Sequence, residues 1–245
     1  MDAAAIRERF LTTGCSILDA KLKGGLPCRG ITQIYGAAGT GKTQLALQMC
    51  LTVQLPITMG GLEAGAIYIC TETAFPSKRL QQLLKKSEIT KAHSVTGDVI
   101  FVTHIATIEE LVLCLQRKVP VLMNAHKIGL LIIDSIAAPY RSEDWKDQGK
   151  TKRSIGRQLH ELCKNDDLCV ICINQVSAVI DGHILISENA NEQPALGFTW
   201  SSMITNSIYF YRKNSLRYAC VMLASHLPRL TFQFEVNESG VKAIE

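Results

Sequence analysis

Residues 36–43 read GAAGTGKT, three glycines, a lysine and a threonine in the spacing G-x-x-x-x-G-K-[ST]. Residues of these types at this spacing can wrap a phosphate. Gly36, Gly39 and Gly41 allow the backbone to curl, and the peptide N–H groups of Ala37, Ala38 and Thr40 can then turn inward. Lys42 is long enough to reach β- and γ-phosphates, and the Thr43 hydroxyl can ligate Mg²⁺, with Gln44 completing the contact. A second element is LLIIDS at 130–135, where four apolar residues deliver the carboxylate of Asp134. Alone that signal is weak, because many strands end in Asp; beside the glycine-rich loop it reads as the second acidic group of a metal–nucleotide site.

Two further residues bear on what happens to the nucleotide. Glu72 in YICTETAF is either a solvated charge at a strand end or a base aimed at an attacking water. Gln175, which ends LCVICINQ, is either a turn amide or a sensor of the γ-phosphate. Both readings stand on the residues alone. A small-molecule kinase is disfavoured, because no Arg-rich lid segment follows.

The elements that must position these groups alternate. Strands are expected at ITQIYG (31–36), AIYICT (66–71), VIFVTHI (99–105), LLIIDS (130–135) and LCVICIN (168–174). Helices are expected at 42–55, 76–86, 107–119 and 154–164, the second opened by Pro76. Such alternation implies an α/β fold, a mostly parallel twisted sheet with helices on both faces. After residue 200 three strand-like segments follow closely around short turns, as in an antiparallel C-terminal extension. Two long polar loops, 139–153 and 177–194, follow strand ends, where open α/β sheets hold ligands. With no internal repeat or linker, one domain is expected across 1–245, residues 1–11 being a short lead.

The bulk properties agree with an ordinary globular protein: 245 residues, 47% hydrophobic, 20% charged and a net charge of +4. That charge permits an anionic partner but does not demand one. The nine cysteines lack a paired framework, and Cys169 and Cys172 lie three apart on a strand, facing opposite ways, so buried free thiols in a reducing compartment are expected. The first residues, MDAAAIRERFL, lack the basic start and apolar core of a secretory leader, and no apolar run approaches the roughly 18 residues of a membrane span. The expected setting is soluble and intracellular.

Taken together, LTTGCSILDAKLKGGLPCRGITQIYGAAGTGKTQLALQMCLTVQLP, YICTETAFPSKRLQQLL, LLIIDSIAAPYR, INQV and SHLPRLTFQFEVNESGV resemble the ATPase core of the RecA-like eukaryotic recombinases from about Thr12 to Val241. GGLEAGAIYICTE, FPSKRLQQL, KVPVL and PALGFTW are similar to a recombinase paralogue of that family. The resemblance implies a RecA-type P-loop core that binds ATP and Mg²⁺ near a subunit interface. It further implies DNA-dependent ATP hydrolysis, expected to be slow, and a role in homologous-recombination repair in the nucleus, with some of the chain in the cytoplasm. A second RecA-like paralogue would be the partner, in a heterodimer or larger complex. Lys42 and Thr43 match the phosphate and Mg²⁺ positions, Asp134 the second acid, Glu72 the catalytic glutamate, and Gln175 the glutamine that links the γ-phosphate to the second DNA loop. Arg79 matches the arginine that lies over adenine, where a planar guanidinium stacks.

The departures matter as well. The sequence begins almost directly at the core, so the family's small N-terminal domain is not expected here, and Phe10 is followed by Leu11, Thr12 and Thr13 rather than the F-x-x-A used for polymerisation. A filament is therefore not expected, and pairing with a paralogue is. The two loops occupy the family's DNA-binding positions with opposite charge. Segment 139–164 has seven Lys and Arg against four acidic residues, whereas 177–194 carries Asp181, Glu188 and Glu192 and no Lys or Arg. Backbone phosphates dominate DNA affinity, so contact with single-stranded or branched DNA is expected through Arg141, Lys146, Lys150, Lys152 and Arg153, with Trp145 or Tyr140 for stacking. The alternative is a scaffold in which bound ATP holds a protein interface with little hydrolysis.

Overall fold

The structure is a computed structural model that describes residues 8–141, 148–164, 167–178 and 192–244. Its strands are β1 (Phe10–Leu11), β2 (Leu26–Pro27), β3 (Ile31–Tyr35), β4 (Gly65–Cys70), β5 (Ile100–His104), β6 (Ile128–Asp134), β7 (Cys169–Asn174), β8 (Val176–Ala178), β9 (Glu192–Pro194), β10 (Asn206–Lys213), β11 (Leu216–Leu223), β12 (Leu230–Asn237) and β13 (Gly240–Ala243). The helices are α1 (Ser16–Lys21), α2 (Lys42–Thr52), α3 (Ser77–Lys86), α4 (Glu88–Ala92), α5 (Ile108–Leu113), α6 (Val119–Ala125), α7 (Gln148–Leu162) and α8 (Gly197–Ser201). A π-helical turn, Cys114–Lys118, joins α5 to α6.

Nine strands form the main sheet, in the order β13-β12-β11-β10-β3-β7-β6-β4-β5. The six from β10 to β5 run parallel, and the last three are appended antiparallel, as the expected fold class requires. The central strands are β-branched and buried on both faces, the pattern of a sheet sandwiched between helices. One core packs α1, α2 and α3 against one face, and the other packs α5, α6, α7 and α8 against the opposite face. Cys169 belongs to the first core and Cys172 to the second, so the CxxC spans the sheet and its thiols face apart.

Helix α2 is buried all round from Leu45 to Thr52, because the C-terminal hairpin covers the side the sheet does not. The turn at Asn214 and Ser215 has positive φ at both residues (49° and 66°), the two-residue geometry whose twist suits a hairpin. Two helix boundaries differ most from the sequence reading. The helix expected over 107–119 continues through the π turn to Ala125. The helix expected from Ser154 starts at Gln148, so Lys150, Lys152 and Arg153 lie on its first turns rather than in a loop. Lys and Arg are good helix formers, and the stripe Ile155, Leu159, Leu162 supplies the packing that extends it backward.

Candidate nucleotide site

All the parallel strands end on one edge, and the residues that follow them meet there. At the end of β3, Gly36 has φ of 152°, and a Cβ on it would stand 2.0 Å from the Phe210 carbonyl oxygen. Only glycine lets the loop leave the sheet so close to β10. Gly41 caps α2, and Lys42 is its first residue. The Lys42 Nζ donates to the carbonyl oxygens of Gly36 and Ala37, both at 2.7 Å, while the Thr40 hydroxyl donates to Ala37 at 2.9 Å. Lys42 is buried, and desolvation lowers its pKa despite the opposing field of Asp134, Glu72 and Glu192. A desolvated ammonium at a helix N-terminus, held only by carbonyls, is a strong point of attraction for an anion.

The parallel register places Cys70, Asp134, Ile173 and Ile34 in one row across β4, β6, β7 and β3. Asp134 therefore stands two strands from the loop, within reach of the first turn of α2. Its Oδ2 accepts from the Thr43 hydroxyl at 2.8 Å and from the Tyr68 hydroxyl at 2.7 Å. The Tyr68 pKa is pushed well above that of an ordinary tyrosine, by burial first and then by Asp134, so it stays a donor. Thr43 and Asp134 thus form one cluster of hard oxygen ligands, the donor set that suits Mg²⁺. Tyr68 escaped the sequence reading, although its alternation with Cys70 on β4 could have placed it beside Asp134.

Glu72 lies just past β4, whose end is fixed by two hydrogen bonds between the Thr71 hydroxyl and the Ser135 backbone. Its Oε2 accepts from the Gln175 side-chain amide at 2.5 Å, and its Oε1 pairs with the Arg141 guanidinium at 3.1 Å. Gln175 is steadied from beneath. Its N–H donates to the Asn174 Oδ1 at 2.8 Å, and the Asn174 amide donates to Gln33 and to the Ala195 carbonyl, both at 2.9 Å. Gln33 also accepts from the Trp200 indole at 2.9 Å, so a buried polar network underlies the end of β7. Neither that network nor the Glu72–Arg141 pair has a sequence signature.

Beside the phosphate loop, a cleft of about 630 Å³ is lined by Thr43, Gln44, Arg79, Arg217, Asn237 and Glu238, among others. The Arg79 Nε donates to the Gln44 Oε1 at 2.7 Å, and its terminal nitrogens reach Gln82 and the carbonyls of Asn237 and Glu238. The far wall is the β12–β13 turn. It is tied to α2 because the Val241 N–H donates to the Gln48 Oε1 at 2.6 Å, and because Gly240 leaves no room for a Cβ beside that oxygen. Arg217 and the turn are contributions that sequence reasoning missed.

The expected DNA contacts are dispersed. Arg141 ends a short 3-10 turn and faces Glu72, whereas Lys150 and Arg153 are exposed on α7. Lys152 donates to the Leu196 carbonyl at 3.1 Å and lies over the Tyr140 ring, 5.3 Å from its centroid. Tyr140 is itself buried, which corrects its assignment as a stacking residue: the ring packs in the core and Lys152 covers it. Lys146, Trp145, Asp181 and Glu188 lie outside the described residues. Glu192 accepts from the Tyr209 hydroxyl at 2.8 Å, so this acid is spent on the sheet extension. Among the described residues no helix is long and apolar enough to cross a membrane.

Comparison with known proteins agrees with this architecture. The model of the Rad51 family matches residues 7–244. The chain is 37% identical to the DNA repair protein XRCC3 of Bos taurus, over 97% of this chain and 76% of that protein. It is 30% identical to the DNA repair protein rhp57 of Schizosaccharomyces pombe, over 98% and 80% of the two chains. It is 29% identical to the DNA repair protein RAD51 homolog 3 of Cricetulus griseus, over 96% and 69%.

Proposed function

The chain belongs to the Rad51 family, and from that premise we propose that it is an ATP-binding recombination-repair protein that works with a second paralogue of the family and with DNA. The observation that carries the reading is the cluster at the sheet edge. Lys42 and Thr43 at the start of α2, Asp134 at the end of β6 and Glu72 just past β4 converge there. The residues fit MgATP. Lys42 and the loop amides would hold the β- and γ-phosphates, Thr43 and Asp134 would hold the metal, and Gln44 and Arg79 would line the base cleft, the Arg79 guanidinium, fixed by its own hydrogen bonds, stacking its plane on adenine.

In this reading Glu72 orients a water and accepts its proton, while Lys42 stabilises charge developing on the phosphate. Gln175 would bond the γ-phosphate and report it to the segment that follows. DNA contact runs through Arg141, Lys146, Lys150 and Arg153; Lys152, already held by Leu196, serves mainly to anchor α7. We take the chain as a single ATPase domain acting in the nucleus, since the similar proteins are named for DNA repair.

A second reading has one observation in its favour. Both Glu72 oxygens are engaged by neighbouring side chains, which suits a protein that holds ATP at an interface and turns it over slowly. Two variants separate the readings. Lys42→Ala is expected to lose MgATP binding in an equilibrium titration. Glu72→Gln is expected to keep it and to slow hydrolysis by about 100-fold or more. Hydrolysis unchanged in Glu72→Gln would leave the scaffold reading standing.

A further inference from the structure

Glu72 is held by two donors that belong to two different parts of the molecule. Arg141 ends the element that follows β6, and Gln175 follows β7 at the root of the second polar segment. The two bonds occupy the two carboxylate oxygens separately, at 3.1 Å on Oε1 and 2.5 Å on Oε2. Each donor also has a better anion to bind. A guanidinium forms stronger, bidentate bonds with a phosphate than a single contact to a carboxylate provides. The Arg141–Glu72 pair is exposed, 55% and 42% for the two side chains, and pairs of that kind contribute little. It is therefore a bond that one backbone phosphate can take over.

We infer that Arg141 is a positioning residue that couples DNA to ATP turnover by exchange. Resting against Glu72, it keeps the carboxylate turned towards the first polar segment. When a nucleic-acid phosphate captures the guanidinium, Oε1 is released to orient water. Gln175 makes the second tether, and on the proposed function, on which this inference rests, the γ-phosphate draws its amide away. Glu72 is then set free only when nucleotide and nucleic acid are both present. The remaining supports of this region stay in place during the exchange. Thr71 still joins β4 to β6, and Asn174 still holds the Gln175 backbone.

The test compares ATP hydrolysis by the full chain, with any partner that co-purifies, in the absence and presence of an oligothymidylate. In the wild type the oligonucleotide is expected to raise kcat. Arg141→Ala is expected to raise the DNA-free kcat about twofold to fivefold, the most that an exposed pair holds back, with KM for ATP unchanged. Its ratio of stimulated to basal rate should fall to about one, with Arg141→Lys between the two. Lys91→Ala, which breaks an exposed pair with Glu88 elsewhere, should match the wild type. A wild-type rate indifferent to the oligonucleotide, a basal rate unchanged or lowered in Arg141→Ala, or stimulation retained in that variant overturns the coupling. Glu72→Gln in the same assay tells the two failures apart, because undiminished hydrolysis there removes the base assignment itself.

Discussion

Lys42 and Glu72 lie at the same end of the candidate site, yet they are held in opposite ways. Lys42 is 9% exposed and held by two carbonyls of its own loop, at the first residue of α2. Glu72 has a side chain 42% exposed and is held by two other side chains, each of which can be drawn away. The groups expected to grip the nucleotide are thus built into backbone and core, and the group expected to act on it hangs on bonds that exchange. Grip needs a geometry that does not vary, whereas a timed reaction needs one that does.

The comparison is broken most severely from beneath. Trp200 is fully buried on α8 and donates to Gln33, which also holds Asn174 under Gln175. Trp200→Ala is expected to cost about 3–5 kcal/mol in denaturant-induced unfolding. A much smaller loss would mean that the buried half is less rigid than its packing implies.

A subtler change sharpens the contrast. Because burial lowers the Lys42 pKa, the folded state carries that charge at a cost. The sign follows from linkage: the penalty is present below the folded-state pKa and fades as pH rises through it towards the ordinary lysine value. Without nucleotide, Lys42→Ala is therefore expected to unfold at the same temperature as the wild type or higher near neutral pH. The difference should narrow in alkaline buffer. A clearly less stable variant would show that Lys42 holds the loop together rather than waiting for an anion.

A small and local loss is expected of Tyr68→Phe. It removes one of the two hydroxyls that donate to the same Asp134 oxygen, for about 1 kcal/mol of stability in urea titration. No change at all would indicate that Thr43 alone suffices to orient Asp134.

What was legible in the sequence divides along the same line. The glycine-rich loop and Asp134 are local patterns whose geometry follows from strand, turn and helix, and each stands where its motif places it. The alternation of strands with helices and the opposed faces of Cys169 and Cys172 follow from periodicity alone. By contrast, the Arg141–Glu72 pair joins residues 69 positions apart, and it depends on which strands become neighbours at the sheet edge. Lys152 looks like any basic loop residue until α7 is seen to begin at Gln148 and carry it over Tyr140. Spacing reports residues on one element, and it is silent on partners brought together by the sheet.

The tie between Gln48 and Val241 bridges residues 193 apart in the chain. It makes the C-terminal hairpin a wall of the cleft beside the phosphate loop rather than an appendage to the sheet. A premature stop or frameshift just upstream of Asn237 would therefore damage the site as a substitution in GAAGTGKT does, although it alters none of those eight residues.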